Sequence, residues 1–251
     1  MKRTIALIAV GVALIGALAA TGCTRVPLSE TIGGAPTAVT VDKPSFELKG
    51  AETVVGTIRM GVGELSLTGS ADSSDTITGR FEYAPVSWKP EVEFETDGAK
   101  AQYRVSQPES QPMQLGNDVR NSWAMKFPPG VATELSLKLG VGESTIDLRN
   151  VDIRELGVLT GVGSAKIDLS GERANDIIAT IECGVGETVI RVPSDMGVRI
   201  TGADDGVGEL STPGFTKDGY DLVNAAYATT APKLAINLTR GVGEVRIEQV
   251  P

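Results

Sequence analysis

The sequence predicts an all-β protein, a β-solenoid-like stack of short repeats with an aromatic, β-rich section ahead of it. The tetrapeptide Gly-Val-Gly-Glu occurs at Gly61, Gly140, Gly184, Gly206 and Gly241, and as Gly-Val-Gly-Ser at Gly161. Successive motifs from Gly140 to Gly206 are 21, 23 and 22 residues apart, the signature of a stacked repeat. Aromatics make up only 4% of the 251 residues while glycine reaches 30, so small and β-branched side chains must fill the interior.

The first 22 residues read as a signal peptide. Lys2 and Arg3 precede an uncharged run rich in Ile, Leu, Val and Ala, and small residues follow it. The stretch Ala20-Thr21-Gly22-Cys23 resembles a bacterial lipobox, with Ala20 where Leu is usual. That resemblance implies diacylglycerol on the Cys23 thiol and cleavage just before it. Two acyl chains would hold the protein stably, each buried methylene contributing about 0.8 kcal/mol. An uncleaved helix is the other reading, since about 20 apolar residues can cross a bilayer. Residues 23–45 are polar and turn-forming, with Pro27, Gly33, Gly34, Pro36 and Pro44, and read as a tether.

Residues 46–139 form the N-terminal section. Between its Gly61 motif and Gly140 lie seven of the eleven aromatics, Phe81, Tyr83, Trp88, Phe94, Tyr103, Trp123 and Phe127, and Glu109 to Asn121 reads as an exposed loop. Residues 140–251 carry the repeat. Three positions before each motif stand Ile58, Leu137, Val158, Ile181, Ala203 and Leu238; six after its first Gly stand Leu67, Ile146, Ile167, Ile190, Thr212 and Ile247. Polar residues alternate around both rows, so both flanks read as half-buried strands. The rows are nine positions apart, an odd number, so plain alternation would send one of them into solvent. The glycine pairs Gly61/Gly63, Gly140/Gly142, Gly161/Gly163, Gly184/Gly186, Gly206/Gly208 and Gly241/Gly243 are therefore expected to absorb a residue in a bulge or bend. An antiparallel meander or sandwich with the motif as hairpin turn fits the same spacing. In the stacked reading the aromatic section caps one end and the final strand, Val245 to Val250, caps the other.

Charge narrows the function. Thirty-two acidic residues face 23 basic ones, and loss of Lys2 and Arg3 with the leader leaves 21 basic residues and a net −11. Such a surface repels phosphates and argues against nucleic-acid binding. There is no histidine, which removes Ser-His and Cys-His pairs and imidazole metal ligands. The glycines lack the following Lys-Ser/Thr and helix of a phosphate-binding loop. Cys183, just before a motif, falls on the inward phase and reads as a wall residue.

Together the lipobox, Trp88-Lys89-Pro90-Glu91-Val92, and Leu135 to Leu139 leading into the Gly-x-Gly-Glu/Ser units resemble bacterial proteins with an N-terminal toast-rack domain. These are related to LiaF-type cell-wall-active antibiotic response proteins and to candidate surface adhesins. The resemblance covers about residues 46–250. It implies an all-β repeat fold at the cell surface, an association with envelope stress, and no catalytic residues.

The expected function is thus non-enzymatic: a membrane-anchored surface lipoprotein whose β-repeat scaffold serves binding, adhesion or envelope-stress sensing. The partner class is an envelope protein or cell-wall glycan, and no cofactor is expected. A polysaccharide-acting β-helix enzyme is the alternative; it needs two convergent carboxylates in a groove beside Trp88 or Trp123. A third reading is a calcium-dependent binding module, because stacking would bring motif glutamates such as Glu187 and Glu209 roughly 5 Å apart. Otherwise each motif Glu accepts a backbone N–H freed by the bend.

Overall fold

The computed structural model describes residues 38–251 apart from 73, 109–118 and 204–205. The leader, Cys23, most of the expected tether and most of the 109–121 loop lie outside the described residues. Fifteen strands are present: β1 (Thr40–Asp42), β2 (Ser45–Glu47), β3 (Thr53–Gly69), β4 (Thr76–Ala84), β5 (Glu91–Asp97), β6 (Lys100–Ser106), β7 (Arg120–Phe127), β8 (Ala132–Asp147), β9 (Ile153–Asp168), β10 (Ile177–Pro193), β11 (Gly197–Thr201), β12 (Leu210–Ser211), β13 (Phe215–Asp218), β14 (Asp221–Asn224) and β15 (Lys233–Val250). Because β1 begins at Thr40, the tether expected to run to residue 45 ends earlier; Val41 opposite Glu82 already belongs to the sheet.

Five long strands, β3, β8, β9, β10 and β15, lie side by side, all parallel, with motif on motif: Gly63 pairs with Gly142, Gly142 with Gly163, Gly163 with Gly186, and Gly186 with Gly243. Parallel register excludes the motif as a hairpin turn between these five strands, while antiparallel pairs join β4 to β7, β5 to β6 and β13 to β14. It also requires each strand to bend. Sixteen extended residues of β8 would run about 50 Å, yet only residues 148–152 lead from its end to the start of β9, a reach of about 18 Å. Strand and return can close only if the chain turns sharply in mid-strand, so each unit is one coil of a solenoid.

The turn is at the motif. Pairing passes over its first glycine, Cys183 facing Thr160 and Val185 facing Val162 with Gly184 skipped. That skipped residue reconciles the nine-residue spacing. Ile58, Leu137, Val158, Ile181 and Leu238 are buried before the bend, and Leu67, Ile146, Ile167, Ile190 and Ile247 after it, all in one contiguous core. Gly142, Gly163, Gly186 and Gly243 hold φ between +136° and +142°, where side chains are strained. A Cβ on Gly142 would also overlap the Gly63 carbonyl oxygen, and one on Gly140 the Gly61 carbonyl oxygen.

The first end of the stack is closed as expected by the aromatic section. β6 pairs with the first arm of β3 and β7 with its second arm. Between them the bend of β3 has no strand beside it, and two side chains take its place. Gln107 Oε1 accepts the N–H groups of Gly61 and Val62 at 2.9 and 3.0 Å, and Asn121 Nδ2 donates to the Val62 carbonyl at 2.5 Å. Phe81 packs edge-on to Trp123 and Tyr103 to Phe127, all fully buried.

The other end differs from expectation. The final strand β15 is not the cap; it is inserted between β10 and β11, pairing in parallel with both. The Gly206 unit lies outside it as a broken coil made of β11, a bridge from Val207 to Val242, and the two-residue β12. The hairpin β13–β14 then covers β11. In space the motifs run 61, 140, 161, 184, 241, 206. Thr212, the one polar member of its row, belongs to this outer unit, where it is half-buried and has no further coil to pack beneath.

On the second arm a charge ladder crosses the coils. Arg149 reaches Asp147 at 2.6 Å and Asp168 at 3.8 Å, and Arg191 reaches Asp168 at 3.9 Å and Glu248 at 3.3 Å. Hydrogen bonding from Arg149 holds the Asp147 carboxyl below its usual range, against a smaller opposing effect of burial. Arg173, whose own charge is disfavoured by burial, donates to the carbonyls of Val151 and Leu148 at 2.5 and 2.9 Å and clips one return loop to the next.

Two outcomes are expected. Gly186→Ala should lower stability by about 2 kcal/mol or more, whereas Gly157→Ala, with negative φ and its nearest heavy atom at 3.8 Å, should be close to neutral; denaturant midpoints separate them. Because the folded state depresses the Asp147 carboxyl, its contribution is present above the unfolded value of about 4 and is lost as pH falls through the lower folded value. Asp147→Asn should therefore flatten the acid limb of a Tm-versus-pH curve while leaving the neutral-to-alkaline limb in shape.

Candidate functional site

The bends share one edge of the solenoid, and that edge is built by the motif itself. With the glycines bare of side chains, the Val between them stands in relief. Val141, Val162, Val185 and Val242 are 48–52% exposed and Val207 68%, the largest aligned set of exposed aliphatics among the described residues. Parallel pairing of Val62, Val141, Val162, Val185, Val242 and Val207 puts them in one column, about 4.8 Å from one to the next. The sequence reading missed this column, although Val at the middle of every motif was the signal for it.

Two residues further on runs the acidic column. Its spatial order is Glu64, Glu143, Ser164, Glu187, Glu244, Glu209. Glu187 and Glu209 are therefore not neighbours, because β15 inserts Glu244 between them. Stack order differs from chain order, and spacing along the chain could not reveal that. Glu64 pairs with Arg120 at 3.4 Å and Glu244 with Arg246 at 2.8 Å. Among the described residues, Glu143 and Glu187 have no cation within ion-pair distance, and none of the five accepts a backbone N–H, so the expected bend-capping role is not theirs. Gln107 does that work at the first coil, and Thr160 Oγ1 accepts the Gly184 N–H at 3.3 Å further along the stack. No group of three or more acidic or thiol side chains placed to hold a metal occurs among the described residues.

Other candidates divide as follows. Trp123 is fully buried with its Nε1 unpartnered, and Trp88 is 4% exposed. A groove of about 850 Å³ beside Trp88 is bordered by Arg59, Lys138, Leu159 and Gln107, with Glu91 as its one carboxylate among the described residues. Hydrolysis of a glycosidic bond by paired acids needs a second. Cys183 is a half-buried free thiol, and burial pushes its pKa up, away from the thiolate that reactivity requires.

No curated protein matches this chain. Residues 35–191 match the family described as the N-terminal domain of toast_rack, DUF2154. Among solved structures, a candidate cell adhesion protein from Clostridium sporogenes ATCC 15579 is 31% identical, with 85% of this chain and 100% of that chain covered and a TM-score of 0.74. A candidate adhesin from Bacteroides fragilis NCTC 9343 is 11% identical over 85% of this chain and 99% of that one, with a TM-score of 0.28. On the match over residues 35–191 and the extended identity to the Clostridium structure, this chain belongs to the toast-rack family.

Proposed function

We propose that the protein is a non-enzymatic, lipid-anchored scaffold of the bacterial surface, and that it binds an envelope or cell-surface partner along its bend edge. The observation that carries this is the column of half-exposed valines running beside the acidic column. Contiguous exposed aliphatics on a soluble surface mark contact sites more often than accident. The exposed carboxylates of Glu143 and Glu187, the second of which also acts on the charge of Arg246, would orient a partner that presents cations or N–H donors. A rigid stack suits the task because the column cannot collapse on itself to hide its apolar groups. The adhesion description of the Clostridium relative supports a surface-binding role. Anchoring through Cys23 would put the edge outside the membrane, and envelope-stress sensing would follow if partner occupancy reports on the wall.

The reading is tested on intact cells displaying the chain, with purified peptidoglycan sacculi and envelope vesicles as probes. Val141→Ser, Val162→Ser and Val185→Ser together should leave the Tm within a few degrees, since the positions are half exposed, and lower probe retention at least severalfold. Cys23→Ser should abolish incorporation of labelled palmitate and release the protein to the medium. Unchanged retention of both probes by the triple variant would remove the bend edge from consideration.

A further inference from the structure

We propose that the slot between β10 and β11 accepts the β15 strand of a second copy of this chain, so that the protein assembles by strand exchange. Every feature of the slot follows from the inverted order of the last two units. The Gly206 unit comes first along the chain yet is placed one coil too far out, and the gap it leaves is filled by the 18 residues of β15, Lys233–Val250. Until β15 enters, β10 presents a free parallel edge of 16 pairing positions, from Ile177 to Pro193, and β11 another of five. These are the edges through which β proteins join one another.

Nothing in the slot distinguishes the chain's own strand from a neighbour's. Its shape is set by glycines: a Cβ on Gly241 would overlap the Gly184 carbonyl oxygen, and one on Gly208 the Gly243 carbonyl oxygen. The remaining ties include Arg191 to Glu248 at 3.3 Å, Arg240 Nε to the Ala203 carbonyl at 2.9 Å, Gln249 Nε2 to the Pro213 carbonyl at 3.1 Å, Thr201 Oγ1 donating to Asn237 Oδ1 at 2.7 Å, and the Lys233 N–H to Asp176 at 2.8 Å. All of them, and all the ladder bonds, join β15 to the acceptor body and would be made unchanged by a strand from outside. What differs between the closed and exchanged forms is confined to the connection 229–232, at whose end the Lys233 ammonium caps the carbonyls of Tyr227 and Thr230. A four-residue connection at the sheet margin is the kind of hinge through which identical elements trade places. The proposal does not depend on what the bend edge binds.

Glu182 and Thr239 are register partners on β10 and β15, and both side chains are exposed. In a full-length background with Cys23→Ser and Cys183→Ala, one tagged chain carries Glu182→Cys and a differently tagged chain carries Thr239→Cys. The two are mixed at high concentration, passed briefly through partial denaturation, and treated with a short bis-maleimide. A covalent heterodimer bearing both tags is expected, severalfold above that from chains mixed after refolding. A chain carrying both substitutions should cross-link within itself, which verifies the register. Native mass spectrometry of the unsubstituted chain, refolded at the same concentration, should show a dimer that persists on dilution, because separation requires β15 to be pulled from its slot. Absence of the mixed product while the doubly substituted chain closes on itself overturns the proposal, and so does a refolded chain that is monomeric throughout, or a dimer whose singly substituted chains never cross-link.

Discussion

Everything in this molecule depends on how closely one backbone can approach the next at the bend. At Gly140, Gly161, Gly184 and Gly241 the Cα sits against the carbonyl of the preceding coil's glycine, and two residues on the chain repeats the approach with positive φ. No residue with a Cβ fits either place. Glycine costs conformational entropy in a strand, but here it permits five long strands to turn together without breaking their parallel ladder. A single bulky side chain in one bend would displace that coil from its neighbours on both sides.

Turning together makes the core possible. Each arm alternates, and the bend consumes one residue, so both arms face inward and meet over a shared filling of Ile, Leu and Val. The same in-register stacking multiplies whatever lies on the outside. Where the repeated residue is Val it makes a ridge, and where it is Glu it makes an acidic column. Where sequence varies, as at Asp147, Asp168, Arg191 and Glu248, it makes a ladder of alternating sign that offsets the like charges of the two aspartates with Arg149 between them. Repetition is thus both the stabilising device and the means of displaying a surface.

A stack must also stop. At one end Gln107 and Asn121 satisfy the exposed bend as the next coil would have done, and aromatic side chains seal the arms. At the other a coil degraded to five residues, a single bridge and two residues ends the ladder, with the β13–β14 hairpin over its first arm. These endings lack the repeat's regularity, and their irregularity prevents further addition of coils.

The amino-acid sequence by itself determined the fold class, the coil length, the two buried rows and the bend between them, because periodicity and glycine placement act over a few residues and leave a local trace. It also located the aromatic cap, since Phe81, Tyr103 and Trp123 are bulky where the repeats are not. Only the tertiary structure decided the order of the coils. Gly206 and Gly241 open identical motifs, and either could pair with Gly184; which one does rests on the reach of the 213–232 excursion and on the 16 positions that β15 can fill against β10. For the same reason the partners of Glu187 could not be read from spacing. The exposed valine column was visible in every motif, yet its exposure depends on a bend that turns the ridge outward, and exposure is a property of packed coils rather than of any one of them.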